Sequence, residues 1–104
     1  MIPPLPSEFV ARMTALHGER GTHWCQQMPA HISTLATAWG LAIHDPFPLS
    51  FNYVCRATRI ADGLPVVLKT SLHREFAGEI TMLRHYAGQG AVPLLAVDDA
   101  RRAI

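Results

Sequence analysis

Charge is scarce in this 104-residue chain: 16% of its residues are Asp, Glu, Lys or Arg, against 49% that are hydrophobic. A disordered chain would show the opposite balance, so a globular domain is expected. The length allows one domain, with a core of modest margin. The nine basic residues are scattered, with only Arg101 and Arg102 adjacent, and the net charge is +1. No stripe of Lys and Arg alternates with aromatics, which argues against a nucleic-acid or membrane-surface partner. No apolar run reaches the length of a membrane span. The opening Met1-Ile2-Pro3-Pro4-Leu5-Pro6 lacks a basic n-region and an apolar h-region, so no signal peptide is expected. Cysteine is also sparse. Cys25 and Cys55 stand far apart, form no metal-type pair and suggest two reduced, partly buried thiols in a cytoplasmic protein.

Chemistry-bearing motifs are few. The six histidines form no H-E-x-x-H pattern, and none pairs at helical spacing with a second ligand type, so no metal site is expected. A G-x-S-x-G elbow is absent, which leaves Ser-His-Asp chemistry without a signature.

What is present has a clear period. Ser7 suits an N-cap, with Glu8 favourable in the first turn and Phe9, Met13 and Leu16 at helical spacing. Gly18 and Gly21 are expected to end that helix. His23 to Met28 reads as a short helical stretch that Pro29 interrupts. A further helix carries Ile32, Leu35, Ala36 and Trp39 on one face and stops at Gly40. Trp24 and Trp39 are expected in the core.

After Gly40 the period changes. Leu41 to His44 reads as a short strand, and Asp45 to Ser50 as a loop, because two prolines preclude regular pairing. Phe51 to Ile60 is a predicted strand. Val54, Arg56, Thr58 and Ile60 share one face, and Tyr53, Cys55 and Ala57 the other. Ala61-Asp62-Gly63 supplies turn chemistry, and Pro65 to Thr70 returns as the second arm of a hairpin. Ser71 is placed to cap a helix from about Leu72 to Ala87, whose stripe is Phe76, Ile80, Leu83 and Ala87. Gly88 and Gly90 follow it. Ala91 to Val97 reads as an apolar strand, and Arg101 to Ile104 as the start of another. The fold class is α+β with an antiparallel sheet.

One stretch organises the rest. Val66-Val67-Leu68 is built for a strand and runs into Lys69; ten residues on, at the border of the helix stripe, stands Glu79. A lysine at the end of an apolar strand is a compact positive charge that can reach phosphate oxygens, and a carboxylate from a packed helix fixes its long side chain. The strand has the form of the kinase Val-Ala-Ile-Lys motif. The plain alternative is a solvated lysine and a surface glutamate. The loop ahead of the hairpin, Pro48-Leu49-Ser50-Phe51-Asn52-Tyr53, has no glycine, so a G-x-G-x-x-G fingerprint is missing. Ser50 and Asn52 could donate to a phosphate there, or form an ordinary polar turn.

These pieces, in this order, resemble a family. Leu49-Ser50-Phe51-Asn52-Tyr53-Val54, Asp62-Gly63-Leu64-Pro65-Val66-Val67-Leu68-Lys69, Glu79-Ile80-Thr81-Met82-Leu83 and Gly88-Gln89-Gly90-Ala91-Val92-Pro93-Leu94-Leu95 are similar to the amino-terminal lobe of aminoglycoside phosphotransferases. The closer likeness is to the streptomycin 6-kinase and hydroxyurea-resistance kinase group. Trp24, Met28-Pro29 and Trp39-Gly40-Leu41 resemble that group's helical preface. The resemblance implies a helical preface over 1–40 and a kinase-like lobe over 41–104, with an antiparallel sheet of about four to five strands and a helix in the place of kinase αC. It implies ATP and magnesium as cofactors, Lys69 on the α- and β-phosphates, Glu79 as its partner, and an aminoglycoside hydroxyl as acceptor. The family's His-Gly-Asp-x-x-x-x-Asn loop and its later metal-binding aspartate do not occur in these residues. The expectation is therefore a nucleotide-binding lobe, inactive alone, whose apolar surface favours self-association or a carboxy-terminal lobe. The rival expectation is a stand-alone α+β binding module without catalysis.

Overall fold

A computed structural model describes residues 5–47, 52–72, 75–90 and 93–104. Helices α1 (Ser7–His17) and α2 (Glu19–Trp39) lead into strands β1 (Leu41–Pro46), β2 (Asn52–Arg59) and β3 (Leu64–Ser71), followed by α3 (Phe76–Tyr86). The fold is α+β, and the three strands form an antiparallel sheet in the order β1-β2-β3.

The apolar faces of α1 and α2 meet one face of the sheet. Phe9 and Met13 of α1, and Trp24, Cys25, Met28, Ile32 and Leu35 of α2, bury against Tyr53, Cys55 and Leu68. The core therefore runs through both the helical and the strand segments. Phe9 is its aromatic hub, with ring centroids 5.8 Å from Trp24 and 6.3 Å from Tyr53. Trp39 packs at the margin, whereas Leu16 is exposed.

Several expectations are corrected at the helix ends. Pro6, not Ser7, holds the N-cap position of α1. Gly18, at φ +63°, makes the turn between α1 and α2, a conformation that costs other residues more. Gly21 lies inside α2 rather than ending a helix. A Cβ there would stand 2.1 Å from the Met13 carbonyl oxygen, so glycine is what lets α1 and α2 approach. Pro29 does not interrupt α2, which continues through it. A mid-helix proline costs about 3 kcal/mol, but each large apolar side chain buried contributes about 1.5–3 kcal/mol. Trp24 and Met28 before the proline, and Ile32 and Leu35 after it, together outweigh that cost while its ring stays exposed.

The hairpin forms as expected, paired from Asn52↔Ser71 to Arg59↔Leu64. Its loop is fastened by Asp62, whose carboxylate accepts from Arg59 Nε at 3.0 Å, Arg59 Nη2 at 2.7 Å and the Leu64 backbone N–H at 3.2 Å. The guanidinium and the backbone N–H pull the Asp62 carboxyl down to about 2. Asp45 and Pro46, read from sequence as loop, belong to β1. A register shift between Ile43 and Pro46 absorbs the proline, and Pro46 lies opposite Cys55.

Two further differences concern the sheet's far edge. Residues 93–97 form no strand, and Pro93 has no N–H to offer a ladder. They line a groove with Leu83 and Arg84 of α3 and its C-cap residue Ala87. Instead it is the last residues that reach β3. Lys69 N–H donates to the Ile104 carbonyl at 3.0 Å, Ile104 N–H to the Lys69 carbonyl at 2.9 Å, and Ser71 N–H to the Arg102 carbonyl at 3.2 Å. A tight turn brings them there, with Asp98 and Ala103 exchanging backbone hydrogen bonds at 2.9 and 3.0 Å. Ser71 is thus the end of β3 and not a helix cap. The helix starts four residues later than expected, at Phe76, and ends at Ala87 in the left-handed region.

Candidate functional site

The alternation in β2 and β3 sets the site. Tyr53, Cys55, Ala57, Leu68 and Thr70 turn toward the helices and are buried. Asn52, Val54, Arg56, Val67 and Lys69 therefore take the opposite face. Lys69 lies across from Val54. Because Lys69 gives its backbone N–H to Ile104, its pairing with Val54 is of the non-hydrogen-bonded, closer kind. That places the base of the lysine side chain beside an apolar floor made by Val54 and the half-exposed Val67.

α3 supplies the partner. Lys69 Nζ donates to Glu79 Oε1 at 2.7 Å and to Oε2 at 2.9 Å, with the two side chains 25% and 31% exposed. The pair is thus shielded but reachable. An ammonium has three N–H donors, and two are committed to the carboxylate. One donor remains for an oxygen approaching over the sheet face.

Asn52 stands on the same face, two residues from Val54. Its Oδ1 is buried and has no hydrogen-bond partner among the described residues. Native structures seldom leave such an atom unpaired; being an acceptor, it calls for an outside donor and not for a phosphate oxygen. Ser50, the other residue expected to contact phosphate, lies outside the described residues. The structure therefore brings Lys69 and Glu79 into contact and sets Asn52 on their sheet face.

Arg56 is the residue that sequence reasoning did not single out. It shares the face of Val54, and its guanidinium carbon sits 4.1 Å from the centroid of the Phe47 ring. Strand alternation placed it on this face; the stacking on Phe47 depends on the chain's return across β1. His44 Nε2 and Thr58 Oγ1, 2.7 Å apart, close the far end.

The thiols are not part of this face. Burial pushes Cys55 up to about 11 and raises Cys25, which disfavours their thiolates. Burial also raises Tyr53, with the neighbouring Cys55 adding to it. Among the described residues no three His, Cys, Asp or Glu side chains gather as metal ligands, and no helix is long and apolar enough to cross a membrane.

A curated hydroxyurea phosphotransferase from Kitasatospora aureofaciens is 28% identical to the chain over 95 residues. The chain is a distant relative of a phosphotransferase. The match covers 90% of the chain and 28% of that protein, so the chain spans little more than a quarter of its relative's length. No family model and no solved structure matches the chain.

Proposed function

We propose that this chain is the nucleotide-binding, kinase-like amino-terminal lobe of a phosphotransferase that moves the γ-phosphate of ATP to a hydroxyl group. The observation that carries this reading is the bidentate contact of Lys69 with Glu79 across β3 and α3. Its geometry suits phosphate: one fixed cation with a spare donor, above an apolar floor. Lys69 holds the α- and β-phosphates, Glu79 keeps the lysine aimed, and Ser50 from the preceding loop and Asn52 from the start of β2 donate to the phosphates. The pairing of residues 102–104 with β3 supports a lobe of more than three strands. The distant phosphotransferase relative supports the reaction class.

Bound ATP with magnesium supplies the phosphoryl group and charge neutralisation. The magnesium carboxylates and the base for the acceptor hydroxyl come from residues beyond this chain, so the chain alone binds nucleotide without transferring phosphate. The acceptor in the full enzyme is an antibiotic-type alcohol such as an aminoglycoside. Calorimetric titration of the chain with ATP tests the reading. Saturable binding that Lys69→Ala removes, with the fold retained, is the expected result; binding indifferent to that change would refute it. The rival reading, a binding module without chemistry, draws on the exposure of Ile60, Leu64 and Val67 along the hairpin. It predicts association of copies or partners that Lys69→Ala leaves intact.

A further inference from the structure

Arg56 stands on the sheet face that carries Lys69, and its guanidinium is already held in place. Strand β2 alternates: Cys55 and Ala57, on either side of Arg56, are buried toward the helices, while Arg56 is exposed on the opposite face. Its guanidinium carbon lies 4.1 Å from the centroid of the Phe47 ring. A ring within about 6 Å attracts a guanidinium through its face. Such stacking occupies one face of the planar group and leaves the N–H donors along its edge free. Among the described residues no carboxylate pairs with Arg56 and no hydrogen bond uses its side chain.

Phe47 fixes where that group sits. Its backbone N–H donates to the Val54 carbonyl at 2.9 Å, which makes it the neighbour of Val54 on the β1 side. Lys69 is the neighbour of Val54 on the β3 side. The guanidinium over Phe47 and the ammonium of Lys69 thus flank Val54, over backbones about 10 Å apart, twice the strand spacing. Phe47 also leads into Pro48-Leu49-Ser50, the segment expected to cover phosphates, and that segment has no glycine. Kinase-type loops cover phosphates with a glycine-rich backbone, because a chain without Cβ atoms can approach closely. Here side chains must supply the donors, and Arg56 has a whole fork uncommitted.

We propose that Arg56 grips the terminal phosphate of the bound nucleoside triphosphate, in the role that a glycine-rich backbone has in kinases, with Phe47 as its positioning residue. The inference rests on the nucleotide-binding reading above, in which Lys69 holds the α- and β-phosphates. A guanidinium fork matches two oxygens of one phosphate, and the terminal phosphate offers more non-bridging oxygens than the inner two. Because Phe47 opens the loop, the guanidinium stands at the phosphate end of the face and not beneath the base.

Calorimetric titrations with ATP and with ADP, at constant magnesium and ionic strength, separate the terminal phosphate from the rest of the nucleotide. Arg56→Ala, at an exposed position, should weaken ATP binding by about tenfold or more, the worth of a charge-assisted hydrogen bond, and ADP binding by less than about twofold. Arg56→Lys keeps the charge without the fork and should recover part of the ATP affinity. Phe47→Leu should weaken ATP by a smaller factor and leave ADP unchanged, a split that a merely structural ring would not produce. Circular dichroism of each variant checks the fold. Equal losses of ATP and ADP in Arg56→Ala would put the side chain on the base or the inner phosphates and overturn the assignment, as would an unchanged ATP affinity. Equal losses in Phe47→Leu overturn the role given to the ring. Lys69→Ala reports on the underlying reading and should weaken both nucleotides. If it does so while Arg56→Ala fails to discriminate, the Arg56 assignment alone falls; if the unaltered chain binds neither nucleotide, both readings fall.

Discussion

Lys69 of β3 and Glu79 of α3 meet through both carboxylate oxygens, at 2.7 and 2.9 Å, and so tie the helix to the sheet face opposite α1 and α2. A partly exposed ion pair contributes only about 0–1 kcal/mol to stability. Its larger effect is to hold an otherwise mobile ammonium in one place. Glu79→Gln is therefore expected to lower ATP affinity by about five- to tenfold, a loss near 1 kcal/mol of aiming. Urea unfolding should shift by less than about 1 kcal/mol. Calorimetry and unfolding on the same samples separate the two effects. An unchanged affinity would mean that Glu79 serves only the helix.

Gly21 of α2 lies directly against the Met13 carbonyl of α1. In an exposed helix interior, glycine to alanine stabilises by about 1 kcal/mol. Here the new Cβ would meet the Met13 carbonyl oxygen at 2.1 Å, and that atom is backbone. Gly21→Ala should therefore destabilise the chain by about 1–3 kcal/mol, the usual cost of overpacking. Chemical denaturation reads the sign directly.

Ala87 ends α3 at φ +49°, a conformation that an alanine Cβ opposes. Ala87→Gly removes that strain at the cost of a freer unfolded chain. A net gain of about 0.5–1 kcal/mol is expected in thermal or urea unfolding. A loss would show that the alanine methyl packs against the neighbouring 93–97 segment.

Cys55 gives stability a pH dependence at the alkaline end. Its folded pKa is raised to about 11 from 9.0, so the folded state holds the proton more tightly. That contribution is fully present below pH 9 and is lost as pH rises through 11. Cys25 and Tyr53 are raised too and act in the same direction. Unfolding free energies measured from pH 8 to 11 should fall, by about 1–3 kcal/mol for Cys55. Cys55→Ala should flatten the slope whatever it does to stability at neutral pH.

Asp62 acts at the acid end with the opposite sign. Its folded pKa is lowered to about 2 from 3.8, so it stabilises the hairpin above pH 3.8 and stops doing so as pH falls through 2. The stability difference between the native chain and Asp62→Asn should accordingly close across that window. A carboxyl titration near 3.8 in the folded chain would show that Arg59 does not hold it in solution.

Periodicity made the local elements legible. The alternation of Tyr53, Cys55 and Ala57 against Val54, Arg56 and Thr58 assigns the two faces of β2 correctly. Asp62-Gly63 marks the turn. The stripe Phe76, Ile80, Leu83 marks the buried face of α3, and Glu79 at its border marks the residue able to reach the sheet. These are properties of one element at a time, and residues a few positions apart decide them.

What required the folded chain is pairing between distant segments. Whether Pro29 breaks a helix depends on how much the residues on either side bury, not on proline alone. Residues 93–97 look like a strand, yet the place beside β3 goes to 102–104, whose backbone groups meet those of Lys69 and Ser71. Gly21 reads as a helix stop until Met13 is seen against it. Arg20 of α2 lines one cleft with Arg101 and Arg102, some eighty positions on, and no local pattern connects them. Sequence alone set which side of each helix and strand is apolar, because a side chain's direction follows from backbone period. The tertiary structure decided which of those sides meet, because that choice balances buried area, backbone hydrogen bonds and charge over the whole chain.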